Sequence, residues 1–343
     1  MPEPAAPSRT DLAGAFLARA GWADAERRFL AGDASDRSYA RLIRGLETAV
    51  LMDAPPGKGD DPAAFLAIAR HLRHLGLSAP RILAEDLRHG FLLLEDLGDA
   101  LFARLIPADP AAETPLYAAA TDVLLHLQAR PAAPGLPDLT AQDWAQAAAF
   151  ALDWYRFAVT GEQVDTAGFL ARLTDLLRTH ADGPRVMILR DYHAENLLWL
   201  PQRAGLRRVG LLDFQLAQMG QPGYDLVSLL QDARRDVPEA VEAAMIRHFL
   251  AATGAAETGF APAYAVLGAQ RTLRILGIFA RLCLQGGKPQ YVALIPRVWA
   301  QLQRNLAHPA LAPLAAICQN LLPEPTPDRL ERIRAQCGKH PTP

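Results

Sequence analysis

Before about residue 97 the sequence is cut into short apolar runs; after it, long alanine- and leucine-rich segments take over. Three strand-like runs, 27–30, 37–44 and 48–53, are parted by residues 32–36 and by Gly45. A Pro/Gly loop, PPGKGDD, follows. Asp61-Pro62 then opens a helix, because proline suits a first-turn position whose N–H is spare. Phe65, Ile68, Ala69, Leu72 and Leu75 keep the helical period until Gly76 stops it. Two further strand runs, 81–85 and 91–94, turn at His89-Gly90. The expected order is therefore strand, strand, strand, helix, strand, strand, preceded by a short helix that Thr10 and Asp11 open and Gly21 stops. Beyond residue 97 helices are expected at 115–129, 142–159 and 166–179, with a small β island at 186–189, 196–200 and 209–212, and helices again to the C-terminus. This is an α+β pattern. Residues 1–95 form a small antiparallel sheet lobe, and residues 96–343 a larger, mainly helical lobe.

Composition removes several classes of function. Lys plus Arg is 35 and Asp plus Glu is 37, a net charge of -2. That balance argues against a broad nucleic-acid or membrane-surface binder. Cys283, Cys318 and Cys337 lack C-x-x-C spacing and are odd in number, so neither a disulfide framework nor a zinc site is expected. The N-terminal segment lacks a basic start with an apolar run, and no run of about 18 apolar residues occurs. A monomer in the cytoplasm is the expectation.

The chemistry is concentrated in LRDYHAENLLWL, residues 189–200. Asp191 and Asn196 stand five apart in a loop between two apolar runs. Asp213 follows in VGLLDFQ, at the end of another. Phosphoryl transfer needs such a set. One carboxylate orients the attacking hydroxyl and takes its proton. An amide oxygen and a second carboxylate hold Mg²⁺, a hard cation that prefers oxygen ligands. A second block, GQPGYDLVSLL (220–230), places a turn at Gly220 and Pro222. Its Asp225 reads as the N-cap of the following helix, or as a brace behind the loop.

LRDYHAEN, LLDFQ and GQPGYDLVSLL together resemble the aminoglycoside phosphotransferase-like family of kinases, over about residues 30–310. The resemblance implies a protein-kinase-like two-lobed fold with ATP and Mg²⁺. Asp191 would be the general base, and Asn196 and Asp213 the metal ligands. The loop GDASDRSY (32–39), with Gly32, Ser35 and Ser38, would lie over the ATP phosphates. Residues 95–98, with Glu95 and Leu97, would meet adenine. The blocks VLMDAPP, LLLEDLGD, RDYHAENLLWLP and QRTLRILGIFARL are similar to a bacterial branch of that family, the anomeric sugar kinases. That implies phosphorylation of the C1 hydroxyl of N-acetylmuramate or N-acetylglucosamine in cell-wall recycling. Another small alcohol, aminoglycoside or choline-like, is the alternative acceptor. A catalytically weak nucleotide-binding regulator is the alternative class.

Three positions depart from the protein-kinase pattern. The third strand, TAVLMDAPP, has no lysine to pair with phosphates; the chain's lysines are Lys58, Lys288 and Lys339. Arg37 or Arg41 on the preceding strand would have to supply that charge. Leu189 stands two before the base, where histidine is usual, and Phe-Gln follows Asp213. For the acceptor, His193 and Glu195 flank the base. Arg271 and Arg274 lie on one helix, either as solvated charges or as ligands for the lactyl carboxylate of N-acetylmuramate. Trp144 and Trp154 could stack on a sugar face or fill core.

Overall fold

The computed structural model describes residues 7–32, 37–59 and 61–340. By packing, the chain divides into two units. One comprises Met1–Pro110 with Glu195–Ala217, the other Ala111–Ala194 with Gln218–Pro343. The expected division at residue 95/96 therefore differs from the packing. The segment after residue 95 continues within the first unit, and the 195–217 stretch rejoins it, because its strands bond to Ser78 and Leu101.

In the first unit, α1 (Arg9–Arg19) begins at Ser8 rather than Thr10. Ser8 and Asp11 cap each other's backbone N–H in a reciprocal box. Strands β1 (Glu26–Gly32), β2 (Ser38–Arg44) and β3 (Glu47–Asp53) precede helix α2 (Pro62–His74). Then come β4 (Ile82–Asp86) and β5 (Phe91–Glu95). The sheet is five-stranded and antiparallel, in the order β1-β2-β3-β5-β4. Alternation along β3 and β5 puts Ala49, Leu51, Phe91 and Leu93 on the face that packs with Phe16 and Leu17 of α1. Phe16 and Phe91 stack at 5.7 Å. Val50, Met52, Leu92 and Leu94, on the other face, are buried too. These central strands therefore read as unbroken apolar runs rather than as alternating ones. Helix α3 (Phe102–Ala108) closes this part of the chain.

The second unit is helical: α4 (Glu113–Gln128), α5 (Ala141–Ala148), α6 (Phe157–Thr160) and α7 (Ala167–His180), then β6 (Val186–Ile188). The run expected at 142–159 is not one helix. Between α5 and α6 lies a π-helical segment, Ala151–Arg156, whose wider turn shifts the side-chain register. The first unit is resumed by β7 (Leu197–Trp199) and β8 (Val209–Leu211), which pair with each other. The second resumes with β9 (Gln218–Gly220), which pairs with β6. Gly220, expected in a turn, is thus a strand residue. Three-residue strands are too short to show alternation, and Pro222 masked this one. Helices α8 (Tyr224–Leu230), α9 (Glu239–Thr253), α10 (Glu257–Leu284), α11 (Ile295–Leu306), α12 (Ala312–Leu321) and α13 (Pro327–Ala335) complete the unit.

Helix α10, 28 residues long, is the spine of this unit and is buried over most of its length. Its Gly277 lies so close to Phe150 that a β-carbon there would meet Phe150 backbone atoms at 2.2 Å. Backbone cannot rotate aside as a flexible side chain can. Gly277→Ala is therefore expected to destabilise the protein by about 2–3 kcal/mol, read as a lower urea midpoint. An unchanged midpoint would contradict this packing. Among the described residues no helix is long and apolar enough to cross a membrane.

Candidate active site

The loop that carries Asp191 belongs to the second unit and is pinned on both sides of that residue. Strand β6 delivers Leu189 and Arg190, whose backbone N–H groups donate to the two carboxylate oxygens of Asp225 at 2.6 and 2.9 Å. The Ser228 hydroxyl, one turn further along α8, donates to the Arg190 carbonyl at 3.0 Å. Past Asp191, the Tyr192 hydroxyl donates to the Ala120 carbonyl at 2.9 Å. Arg234 donates to Nε2 of His193 at 3.1 Å. Asp232 accepts from the backbone of Arg234 at 2.8 Å, and from that of Ala194. Five side chains thus fix a loop that has no regular structure of its own. Asp191 is half-buried within it.

Asp225 is the brace and not the cap. Helix α8 starts at Gly223 without a side-chain cap, and Asp225 sits inside the first turn, wholly buried. Its position in sequence suits a cap, but two donors 35 and 36 residues upstream take both its oxygens. Burial pushes its carboxyl up to about 7, against the pull of those two N–H groups.

The candidate metal ligands lie in the first unit. The Asn196 carbonyl accepts from Leu212 N–H at 3.0 Å, continuing the β7–β8 ladder, so Asn196 and Asp213 sit at the same end of that pair. Asp213 is held at φ 53, a left-handed conformation that costs a non-glycine residue about 1 kcal/mol or more. Its Oδ1 accepts from Arg37 at 3.1 Å and from Gln215 at 2.9 Å. The next residue, Phe214, stacks on Phe65 of α2 at 4.8 Å. Among the described residues no group of three or more His, Cys, Asp and Glu is placed to hold a metal ion. One amide and one carboxylate still fit Mg²⁺, a small hard cation that is commonly held by one or two protein ligands, with water and phosphates filling the rest.

The nucleotide-side candidates, also in the first unit, divide. Gly32 and Ser38 pair across β1 and β2 and are exposed. Ser35 lies outside the described residues. Arg41 is bound to Asp96 at 2.7 Å and to Asp99 at 2.7 Å, so its charge is already matched by two carboxylates. Arg37, buried beside Asp213, is the strand arginine that reaches a candidate metal ligand. The Glu95 carboxylate accepts from Arg203 at 2.8 Å and lies near Arg81 and Arg73. Leu97 is half-buried, and its main-chain N–H and C=O make no hydrogen bond among the described residues.

Of the acceptor candidates, Glu195 is exposed and His193 is buried. Burial, then the Arg234 and Arg271 charges, holds His193 well below its usual range, so it is neutral. Arg271 is not a solvated charge: it is 3% exposed and donates to the Gln231 carbonyl at 3.1 Å. Arg274 is half-buried. Trp144 is core, edge-on to Tyr224 at 4.7 Å. Sequence reasoning passed over Ser228, Asp232 and Arg234. For Asp232 and Arg234 the signal was the polar run QDARRD directly after an apolar helix, where buried polar residues must be bonded; Ser228, inside that helix, had none.

Residues 26–264 match the model of the phosphotransferase enzyme family APH. The chain belongs to that family. This phosphotransferase is 41% identical to a Caulobacter vibrioides protein named N-acetylmuramate/N-acetylglucosamine kinase, over 91% of its own length and 96% of the relative's. A Pseudomonas aeruginosa protein of the same name is 35% identical over 88% and 91%. Among solved structures, a choline/ethanolamine kinase family protein from Mesorhizobium loti superposes with a TM-score of 0.60 at 17% identity, covering 96% of this phosphotransferase and 100% of that chain. At that identity the likeness concerns the fold, which is the kinase-like pairing of an antiparallel sheet lobe with a helical one.

Proposed function

We propose that this phosphotransferase moves the terminal phosphoryl group of ATP to the C1 hydroxyl of N-acetylmuramate and N-acetylglucosamine. The observation that carries the reading is the loop around Asp191, held by Asp225, Ser228, Tyr192, Arg234 and Asp232 so that one carboxylate keeps a fixed position. Such rigidity serves a base that must meet one hydroxyl in one geometry. The choice of acceptor is supported by relatives of that name at 41% and 35% identity.

In this reading Asp191 accepts a hydrogen bond from the C1 hydroxyl. It takes the proton as the oxygen bonds to the terminal phosphorus and the bond to ADP breaks. The anomeric hydroxyl, being part of a hemiacetal, is the most acidic hydroxyl of the sugar, which eases its deprotonation. Asn196 and Asp213 would hold Mg²⁺, which when bound neutralises charge on the phosphate oxygens. Arg37 orients Asp213 from behind. The unbonded main-chain groups of Leu97 suit an adenine edge. The product, a sugar 1-phosphate, is the form from which nucleotide sugars are built, which fits recovery of cell-wall sugars. Dependence on ATP places the work in the cytoplasm.

The test is ADP release with Mg²⁺-ATP and a panel of N-acetylmuramate, N-acetylglucosamine, an aminoglycoside, choline or no acceptor. Turnover of about 1–100 per second is expected with the two N-acetylated sugars alone. Turnover confined to a cationic acceptor would keep the phosphotransferase and discard the sugar.

A further inference from the structure

The last turn of α10 and the chain just past α13 are joined by their backbones. The Gly338 N–H donates to the Cys283 carbonyl at 3.0 Å, and the His340 N–H to the Leu284 carbonyl at 3.2 Å. The α-carbons of Cys283 and Cys337 stand on either side of the first of these bonds. A single N–H···O link between them brings the pair into the roughly 4.4–6.8 Å that a disulfide spans. The side chains follow the backbone. The Cys283 thiol donates to the Ile333 carbonyl at 3.7 Å. That carbonyl also accepts from Gln336 N–H at 3.1 Å, and the next N–H, of Cys337, donates to the Arg334 carbonyl at 3.0 Å. Cys283 therefore points at the turn of backbone that Cys337 ends. Burial, then a hydrogen bond with Cys337 itself, pushes the Cys283 thiol up to about 12.

The two sulfurs differ in access. Cys283 is 0% exposed, whereas Cys337 is partly exposed. The third cysteine, Cys318, is buried in α12. All three are free thiols. An accessible thiol beside a shielded one is the arrangement in which the first meets a reagent and the second resolves the adduct. Sequence spacing conceals this pair, because only the fold brings residue 337 back to residue 283.

We propose that Cys283 and Cys337 are a redox-sensitive pair, which a small disulfide converts into an intramolecular disulfide between α10 and the C-terminal segment. The Cys337 thiolate attacks one sulfur of the small disulfide, whose S–S bond breaks and releases one thiol. Cys283 then gives up its proton and attacks the Cys337 sulfur of the mixed disulfide. The second small thiol leaves with that proton. Two cysteine thiols are oxidised and one small disulfide is reduced to two thiols. Excess thiol reverses both steps, as suits a site that senses redox state rather than one that builds the fold. The pair stands apart from the sugar-kinase reading and does not depend on it.

The experiment incubates the folded protein with oxidised glutathione, quenches with acid, and counts thiols in denaturant alongside the intact mass. Wild type is expected to fall from three thiols to one, with a mass lower by two hydrogens, and to recover all three with dithiothreitol. Cys283→Ser should stop at a glutathione adduct on Cys337, since nothing resolves it. Cys337→Ala, at a partly exposed position, leaves the fold intact and should keep both remaining thiols. Three thiols surviving in wild type would overturn the proposal. So would a lasting glutathione adduct on wild-type Cys337, a disulfide that includes Cys318, or one that links two chains.

Discussion

Asp191→Ala is expected to lower kcat by about 10³-fold or more, at the upper part of the range for a positioned general base. Affinity for ATP should stay within a few-fold of wild type, because the base serves the acceptor rather than the nucleotide. The loop that carries Asp191 is held by hydrogen bonds from its neighbours: Leu189 and Arg190 donate to Asp225, Tyr192 to Ala120, and Arg234 to His193. Removing the carboxylate should leave that frame standing. Steady-state ADP release and equilibrium nucleotide binding separate the two effects. Near-normal turnover in the variant would remove Asp191 from the mechanism.

Asp225→Asn is expected to cost about 10²-fold in kcat, without Asp225 ever touching substrate. An amide has one oxygen where the carboxylate has two. One of the two N–H groups would face the new NH₂, leaving a buried donor unbonded at a cost of about 1–3 kcal/mol. The loop must shift, and small misplacements of a base are expensive. A pH profile distinguishes this from simple loss of stability. Burial raises the Asp225 carboxyl from 3.8 to about 7, and its ionised form is the better acceptor. Wild-type kcat should therefore hold above that value and fall as pH drops through it. The limb should be absent from Asp225→Asn. Stability runs the other way. A carboxyl raised on folding keeps its proton in the native state after the unfolded chain has lost it, so this group's contribution is present below pH about 4 and is lost as pH rises to about 7. A wild-type kcat flat across neutral pH would contradict the assigned role.

The sheet was legible in the sequence because its signals are local. Apolar runs end at Gly45, Gly76 and the His89-Gly90 turn, and all five strands and α2 stand within about two residues of where those signals put them. What escaped depends on partners far away in the chain. Asp225 has its donors across 35 residues, Arg41 its carboxylates across 55 and 58, and Arg37 meets Asp213 across 176. No pattern marks an arginine or an aspartate at positive φ, so the strain at Arg190 and Asp213 was invisible. Strand β9 was too short to announce itself, and the π segment looks in sequence like the helix it interrupts. The three residues proposed as base and metal ligands stand out in the sequence by their spacing, Asp191 and Asn196 in one loop and Asp213 at the end of an apolar run.

The central claim is phosphate transfer to the anomeric oxygen, and the most direct measurement is proton-coupled phosphorus NMR of the product formed from N-acetylmuramate and Mg²⁺-ATP. The account predicts a phosphate monoester split by the sugar's H1, with the sugar no longer reducing. A phosphate coupled to the two C6 protons, or ADP formed with no phosphosugar at all, would contradict it.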